Sequence, residues 1–170
     1  YQMITRANLV LARVPDITMD DTQKAQILAE AKFLRALGYF YLVRLYGDVP
    51  LVLTPEDQAA LGPRTPVATV YAQIVKDATE AEAALPAVWG STDKGRATKG
   101  SAEAHLAEQY IWRKDWPNAA TFAKKIIDSG NYGLQANYIN AFLPGSQNRN
   151  EEVFAAQSSS ATGAPAIDIA

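Results

Sequence analysis

Residues 22–53 read TQKAQILAEAKFLRALGYFYLVRLYGDVPLVL, and the fold turns on them. Ile27, Ala31, Leu34, Gly38, Tyr41, Leu42 and Leu45 recur at helical spacing, which predicts one helix over Thr22–Tyr46. Phe33, Ala36, Phe40 and Val43 add a second apolar stripe. A helix that is apolar on two faces is packed on two sides rather than lying on a surface. Asp20 and Asp21 precede it as N-cap residues, with Gln23 at the capping-box position from Asp20. Gly47 and Pro50 stop it. About 25 helical residues make a rod of roughly 37 Å, a length that suits a layer of an α-solenoid. Gly38 sits mid-helix, where glycine costs about 1 kcal/mol against alanine; close approach of a neighbouring helix is the expected return.

On the N-terminal side, Tyr1, Ile4, Ala7 or Asn8, Leu11 and Val14 keep helical spacing from the first residue without a cap, and Pro15 ends that helix. On the C-terminal side, Gly47–Arg64 is a connector with a short helical turn at Pro55–Leu61, capped by Thr54. Thr65-Pro66 reads as N-cap and first helical residue of a helix running to Leu85, where Pro86 stops it. After a loop over Ala87–Ala97, Thr98 or Ser101 caps a helix reaching about Arg113. Asp115 caps another over Trp116–Ser129, with Gly130 at its C′ position. Tyr138–Phe142 reads as one helical turn and Val153–Gln157 as a short strand, followed by loop composition.

From Leu106 onward the pattern approximates a tetratricopeptide unit. Leu106, Ala107, Tyr110, Ala119, Ala123 and Ile126 stand near the consensus positions, with Tyr110 filling the gap between two closely approaching helices. The helices within 22–85 form a second unit, stretched by the connector. The alternative at this point is a pair of ordinary helical hairpins. The predicted class is mainly α, a TPR-like helical repeat (α-solenoid) with minor irregular and strand content.

Composition narrows the function. Hydrophobic residues are 48% and charged residues 20%, enough apolar content for a core in a chain of 170 residues. A net charge of −2 and a pI near 5.4 give no electrostatic footprint for nucleic acid. No apolar run has transmembrane length. The chain has no cysteine, which excludes disulfides, thiolate zinc sites and a cysteine nucleophile.

Four stretches carry a resemblance. AEAKFLRALGYFYLVRLYGDVPLV looks like the hallmark segment of the SusD/RagB family. Val70–Asp77 (VYAQIVKD), Gly95–Ala102 (GRATKGSA) and Trp112–Leu134 resemble its next three segments in order, so that the resemblance spans about residues 20–157. It implies a helical, TPR-like part of a nutrient-binding outer-membrane lipoprotein of Bacteroidetes-type bacteria. Such a protein has no enzymatic activity and needs no cofactor or metal. It captures an oligosaccharide or another nutrient on the extracellular face and passes it to a SusC-like, TonB-dependent transporter. Its membrane link is an N-terminal lipid anchor, whose lipobox cysteine this chain lacks. Family members are several times larger, and the chain is therefore expected to be a piece: residues 1–150 the TPR-like portion, residues 151–170 the start of the ligand-binding half. The alternative is a soluble TPR-type scaffold that binds peptides in its groove, and the third reading is a glycan hydrolase.

The residues with chemical side chains each have a structural reading beside the functional one. His105, the one histidine, lacks the partners that a triad or zinc site requires. Asp48, Glu56, Asp57, Asp93, Glu151 and Glu152 are loop or end carboxylates, but none stands in a motif that gives a glycosidase its facing pair. Asp48 is expected to bond its own turn, and Glu151 and Glu152 to face solvent. Arg35 and Arg44 interrupt apolar faces, where arginine pairs with a carboxylate on a neighbouring helix. Gly95, Arg96, Thr98 and Lys99 lack Walker spacing, because Lys99 precedes Gly100, and read as a turn into a helix cap. For a sugar ligand the aromatic residues matter most. Trp112 and Trp116 flank a turn and are expected to pack there. Trp89, in a polar glycine-bearing loop, is the candidate ligand contact; its other reading is a lid over helix ends.

Overall fold

The computed structural model describes residues 1–60, 62–143 and 150–156. Well over half of them are helical, in six α-helices: α1 Gln2–Arg13, α2 Asp21–Tyr46, α3 Pro55–Ala60, α4 Val67–Ala84, α5 Lys99–Trp112 and α6 Trp116–Asp128. Helix α2 starts where an Asp20 carboxylate oxygen accepts from the Gln23 amide at 2.9 Å and ends at Gly47, whose φ of 68° lies in the region that favours glycine. The predicted mainly α, TPR-like fold is the one observed. Lys24 Nζ donates to the Pro15 carbonyl near one end of the α1–α2 pair. Ile4 and Met3 lie against Gly38 toward the other, so these helices run antiparallel. Helices α2 and α4 do the same, with Arg35 opposite Asp77 and Lys32 opposite Glu80.

Two apolar clusters share α2. Ala36, Tyr39, Phe40 and Val43 join Ile4, Val70, Ile74 and Leu106 in one. Ala29 and Phe33 join Ala81, Leu85, Ala97 and Ala102 in the other. The stripe from Ile27 to Leu45 is only partly covered, since Tyr41 is 50% and Leu45 73% exposed. Helix α1 has 12 residues against 26 in α2, about 18 Å against 39 Å, and its first turn already lies at Gly38. In the α5–α6 pair Leu106, Ala107 and Ala119 are buried as the repeat pattern requires. Ala123 is exposed, however. Phe122, one residue earlier, stacks on Tyr110 with ring centroids 5.7 Å apart, so the bulky partner of Tyr110 is shifted by one position.

The connector is held by polar groups rather than by its own turns. Thr54 caps α3 by accepting from the Asp57 amide at 3.1 Å. Leu61, the last residue of the predicted turn, lies outside the described residues. Asp48 does not bond its own turn: its carboxylate accepts from the Val67 amide at 2.9 Å and so caps α4. This displaces Thr65 from the expected N-cap role, because Pro66 takes that position and the Thr65 amide instead bonds the Val49 carbonyl at 2.9 Å. The strand expected over Val153–Gln157 is not formed in its described part, 153–156. The Val153 carbonyl accepts from Ser101 Oγ at 2.9 Å, and Phe154 packs edge-on against Phe33 at 4.9 Å. These contacts fasten the segment to helices, and among the described residues no strand pairs with it. Gln157 and the loop after it lie outside the described residues.

Arg35 organises the interior. Its Nε and Nη2 donate to the two Asp77 oxygens at 2.7 and 2.8 Å, and its Nη1 donates to Asn8 Oδ1 at 2.9 Å and the Leu53 carbonyl at 3.1 Å. Gln73 Nε2 donates to Asp77 at 2.9 Å, and Asn8 Nδ2 donates to the Val52 carbonyl at 2.9 Å. One guanidinium thus ties α1, α2, α4 and the connector.

His105 is buried between the edges of Phe33 and Phe40. Its Nε2 lies 3.0 Å from Gln109 Nε2. Burial pulls its pKa from 6.5 down to about 4, because the charged ring would lose its hydration.

Four measurements follow from this packing. Gly38→Leu overpacks the Ile4 contact, where even a Cβ would come within 3.0 Å of Ile4 Cγ1; a loss of about 1–3 kcal/mol is expected in denaturant unfolding. Asp77→Ala leaves Arg35 buried without its counter-charge and costs about 3–5 kcal/mol. The half-exposed Lys32–Glu80 pair, broken by Lys32→Ala, costs about 1 kcal/mol or less. The fourth concerns pH. Above 6.5 His105 is neutral in both folded and unfolded chains and contributes no pH dependence. Between 6.5 and about 4 the unfolded chain takes up a proton that the folded chain refuses, so stability falls with falling pH by up to about 3 kcal/mol. The difference between wild-type and His105→Phe stability curves over that range should show this slope.

Candidate functional site

The loop leaving α4 is folded back by side chains of the turn that opens α5. Trp89 Nε1 donates to the Ala97 carbonyl at 2.7 Å. The Arg96 guanidinium lies 3.9 Å over the Trp89 ring. It also donates to both Glu30 oxygens, at 2.8 and 2.7 Å, and to Asp93 at 3.0 Å. Thr98 caps α5 reciprocally with Ser101, and its hydroxyl lies 2.8 Å from that of Tyr132. Gly100 makes room for the Tyr132 ring, which a Cβ there would overlap. The Gly95–Ala102 turn is therefore a structural clasp, as its cap reading implies.

Between this clasp and the 150–155 segment lies a cleft of about 160 Å³, lined among others by Trp89, Lys94, Asn131, Tyr132, Asn150 and Phe154. Trp89 belongs to both readings: it is pinned over the helix ends and it forms one wall of the cleft. Tyr132, Phe154 and the two asparagines were not candidates in the sequence. They come from segments about 40 to 65 residues downstream of Trp89, brought back by the α5–α6 hairpin and by the Gly133 amide, which donates to the Asn150 carbonyl at 3.0 Å.

The other candidates have local roles. Asp93 holds Arg96. Donation from the Leu53 amide leads in holding Asp57 below the usual carboxylate range, and Glu56 lies in the first turn of α3. Glu151, exposed as expected, accepts from the Gln135 amide at 2.9 Å, and Glu152 stands on the cleft rim. Arg44 pairs with Glu108 of α5 at 3.3 Å, as the arginine reading expects, and stacks between Phe40 and Trp112.

Trp112 and Trp116 overturn the expectation of packing. They are 52% and 60% exposed, whereas Trp89 is half-buried. A carboxyl pair also escaped the sequence reading. Glu103 of α5 is pushed up first by burial and then by the charge of Glu82 of α4, which Lys125 of α6 holds at 2.8 Å. Among the described residues no cluster of three metal-ligating side chains forms, and no helix is long and apolar enough to cross a membrane.

Comparisons with known proteins agree with this architecture. Residues 1–111 match the model of a SusD-like family described as starch-binding and associating with the outer membrane. A SusD-like protein of Formosa agariphila is 30% identical over 158 residues, 91% of this chain and 30% of the relative. Among solved structures, a SusD-like protein from Bacteroides fragilis superposes with a TM-score of 0.84 at 28% identity, over 92% of this chain and 32% of its own. A laminarin-binding SusD-like protein gives 0.72 at 36% identity, over 81% of this chain and 30% of its own. The chain thus spans about 30% of the length of these relatives. The match over more than half of the chain, on the same helical frame, makes it a member of the SusD-like family.

Proposed function

We propose that this chain is the TPR-like part of a non-enzymatic, outer-membrane-associated glycan-binding protein. The protein captures an oligosaccharide at the cell surface and hands it to a SusC-like, TonB-dependent transporter. The observation that carries the reading is the family match over residues 1–111. The laminarin-binding relative that shares the fold supports the ligand class. In this reading residues 1–150 are mostly scaffold and transporter-facing surface, and residues 151–170 begin the half that holds most ligand contacts. An N-terminal lipid anchor on the complete protein holds it at the extracellular face.

The arrangement suits a scaffold. The buried Arg35 network and the shared helix α2 make the helical body one rigid unit, and rigid elements are what hold a binding surface in register. Arg35, Arg44 and Arg96 are each committed to carboxylates of this chain, which suits a structural role for them.

The test is titration calorimetry of the full reading frame containing this chain, with maltohexaose and laminarihexaose as probes and a reducing-end assay on the same mixtures. Saturable binding without release of new reducing ends is expected. Cleavage of either probe would overturn the non-enzymatic reading. Binding of near-full affinity by the isolated 170-residue chain would overturn the division of labour between the halves.

A further inference from the structure

Resting on the glycan-binding reading, we propose that the Trp89 cleft is a subsite for one neutral sugar ring of the captured glycan. Three features of the cleft point to this ligand. Its volume of about 160 Å³ is well under the roughly 300 Å³ where drug-sized ligand pockets begin, which suits one ring and not a longer segment. Its apolar wall is aromatic, with Trp89, Tyr132 and Phe154 presented from three separate stretches of chain. Flat aromatic surface matches the C–H face of a pyranose.

Its polar lining is the second feature. Asn131 and Asn150 have their backbone groups engaged: the Asn131 amide bonds Ser129 Oγ and the Asn150 carbonyl accepts from Gly133. Their exposed side-chain amides each offer both donors and an acceptor, the combination that reads neighbouring hydroxyls. Neither side chain makes a hydrogen bond among the described residues.

Charge is the third. Arg96 is the strongest cation at the cleft, and it is already neutralised by two carboxylates, with bidentate bonds to Glu30 and a third to Asp93. Lys94 and Glu152, opposite in charge, both line the cleft. A site whose guanidinium is committed to the protein has little left to hold a uronate or sulfate, so a neutral sugar is the better fit.

The pinning of Trp89 strengthens the assignment. The indole is fixed by its bond to Ala97 and by Arg96 on its face, and Tyr132 by its hydroxyl contact with Thr98. A preorganised wall loses little conformational entropy when a ring settles on it.

The experiment measures Kd by calorimetry on the full reading frame with maltohexaose, laminarihexaose and a hexagalacturonate of equal length. The wild type is compared with Asn131→Ala, Asn150→Ala and Trp89→Ala, and melting temperature is the folding control. The exposed asparagines are expected to keep the wild-type melting temperature. Loss of one ligand hydrogen bond should weaken neutral-probe binding about three- to tenfold, and Trp89→Ala should weaken it fivefold or more. Folded asparagine variants that bind a neutral probe like wild type would overturn the subsite while leaving the glycan-binding reading intact. Failure of the wild type to bind either neutral probe would count against that reading and the subsite with it. Tighter binding of the galacturonate, lost in the asparagine variants, would overturn the neutral-ring assignment.

Discussion

The buried contact between Arg35 and Asp77 is the constraint on which the rest of this molecule depends. A guanidinium taken out of water is tolerated only if its charge is matched and its donors are met. Here the matching groups come from α1, α4 and the connector. Those elements must therefore meet at one point along α2, and that sets the register of three helices at once. The apolar contacts above and below are non-directional and would accept small shifts. The ionic network would not.

The second organising device is the turn from Gly95 to Ala102. Almost every residue in it makes a contact with a different part of the chain. Arg96 reaches back to Glu30, the Ala97 carbonyl holds Trp89, Thr98 meets Tyr132, and Ser101 meets Val153. Gly100 leaves the space in which Tyr132 lies. A segment that looks at first like a phosphate loop is instead where four stretches of chain are joined, and the cleft is the space left between them.

This arrangement also explains why scaffold and site are not cleanly separated. Trp89 is held as firmly as a core residue, yet it forms a wall facing the 150–155 segment. Trp112, Tyr41 and Leu45, by contrast, are exposed around Arg44 on the other side of the helical body. Helix α2 outruns α1 there, and among the described residues no further helix covers that side of its last turns.

By itself the sequence determined the main helices, most of their caps and the family. Apolar spacing placed α2, Asp20 and Gly47 bounded it, and the absence of cysteine with a lone histidine removed several chemistries; each is a property of neighbours within a few residues. The need for a carboxylate beside Arg35 was also legible, because burying a cation demands one, but not that Asp77 would supply it. Tertiary structure alone decided the long-range matters. It made Asp48 the cap of α4 in place of Thr65 and chose Phe122 over Ala123 beside Tyr110. It exposed Trp112 and Trp116 while pinning Trp89. It assembled Asn131, Tyr132, Asn150 and Phe154 around that indole. The physical reason is common to all of them. A local pattern states what a residue needs, whether an apolar neighbour, a hydrogen-bond partner or a counter-charge. Which distant residue meets the need depends on how helices of unequal length pack, and no spacing within a single helix records that.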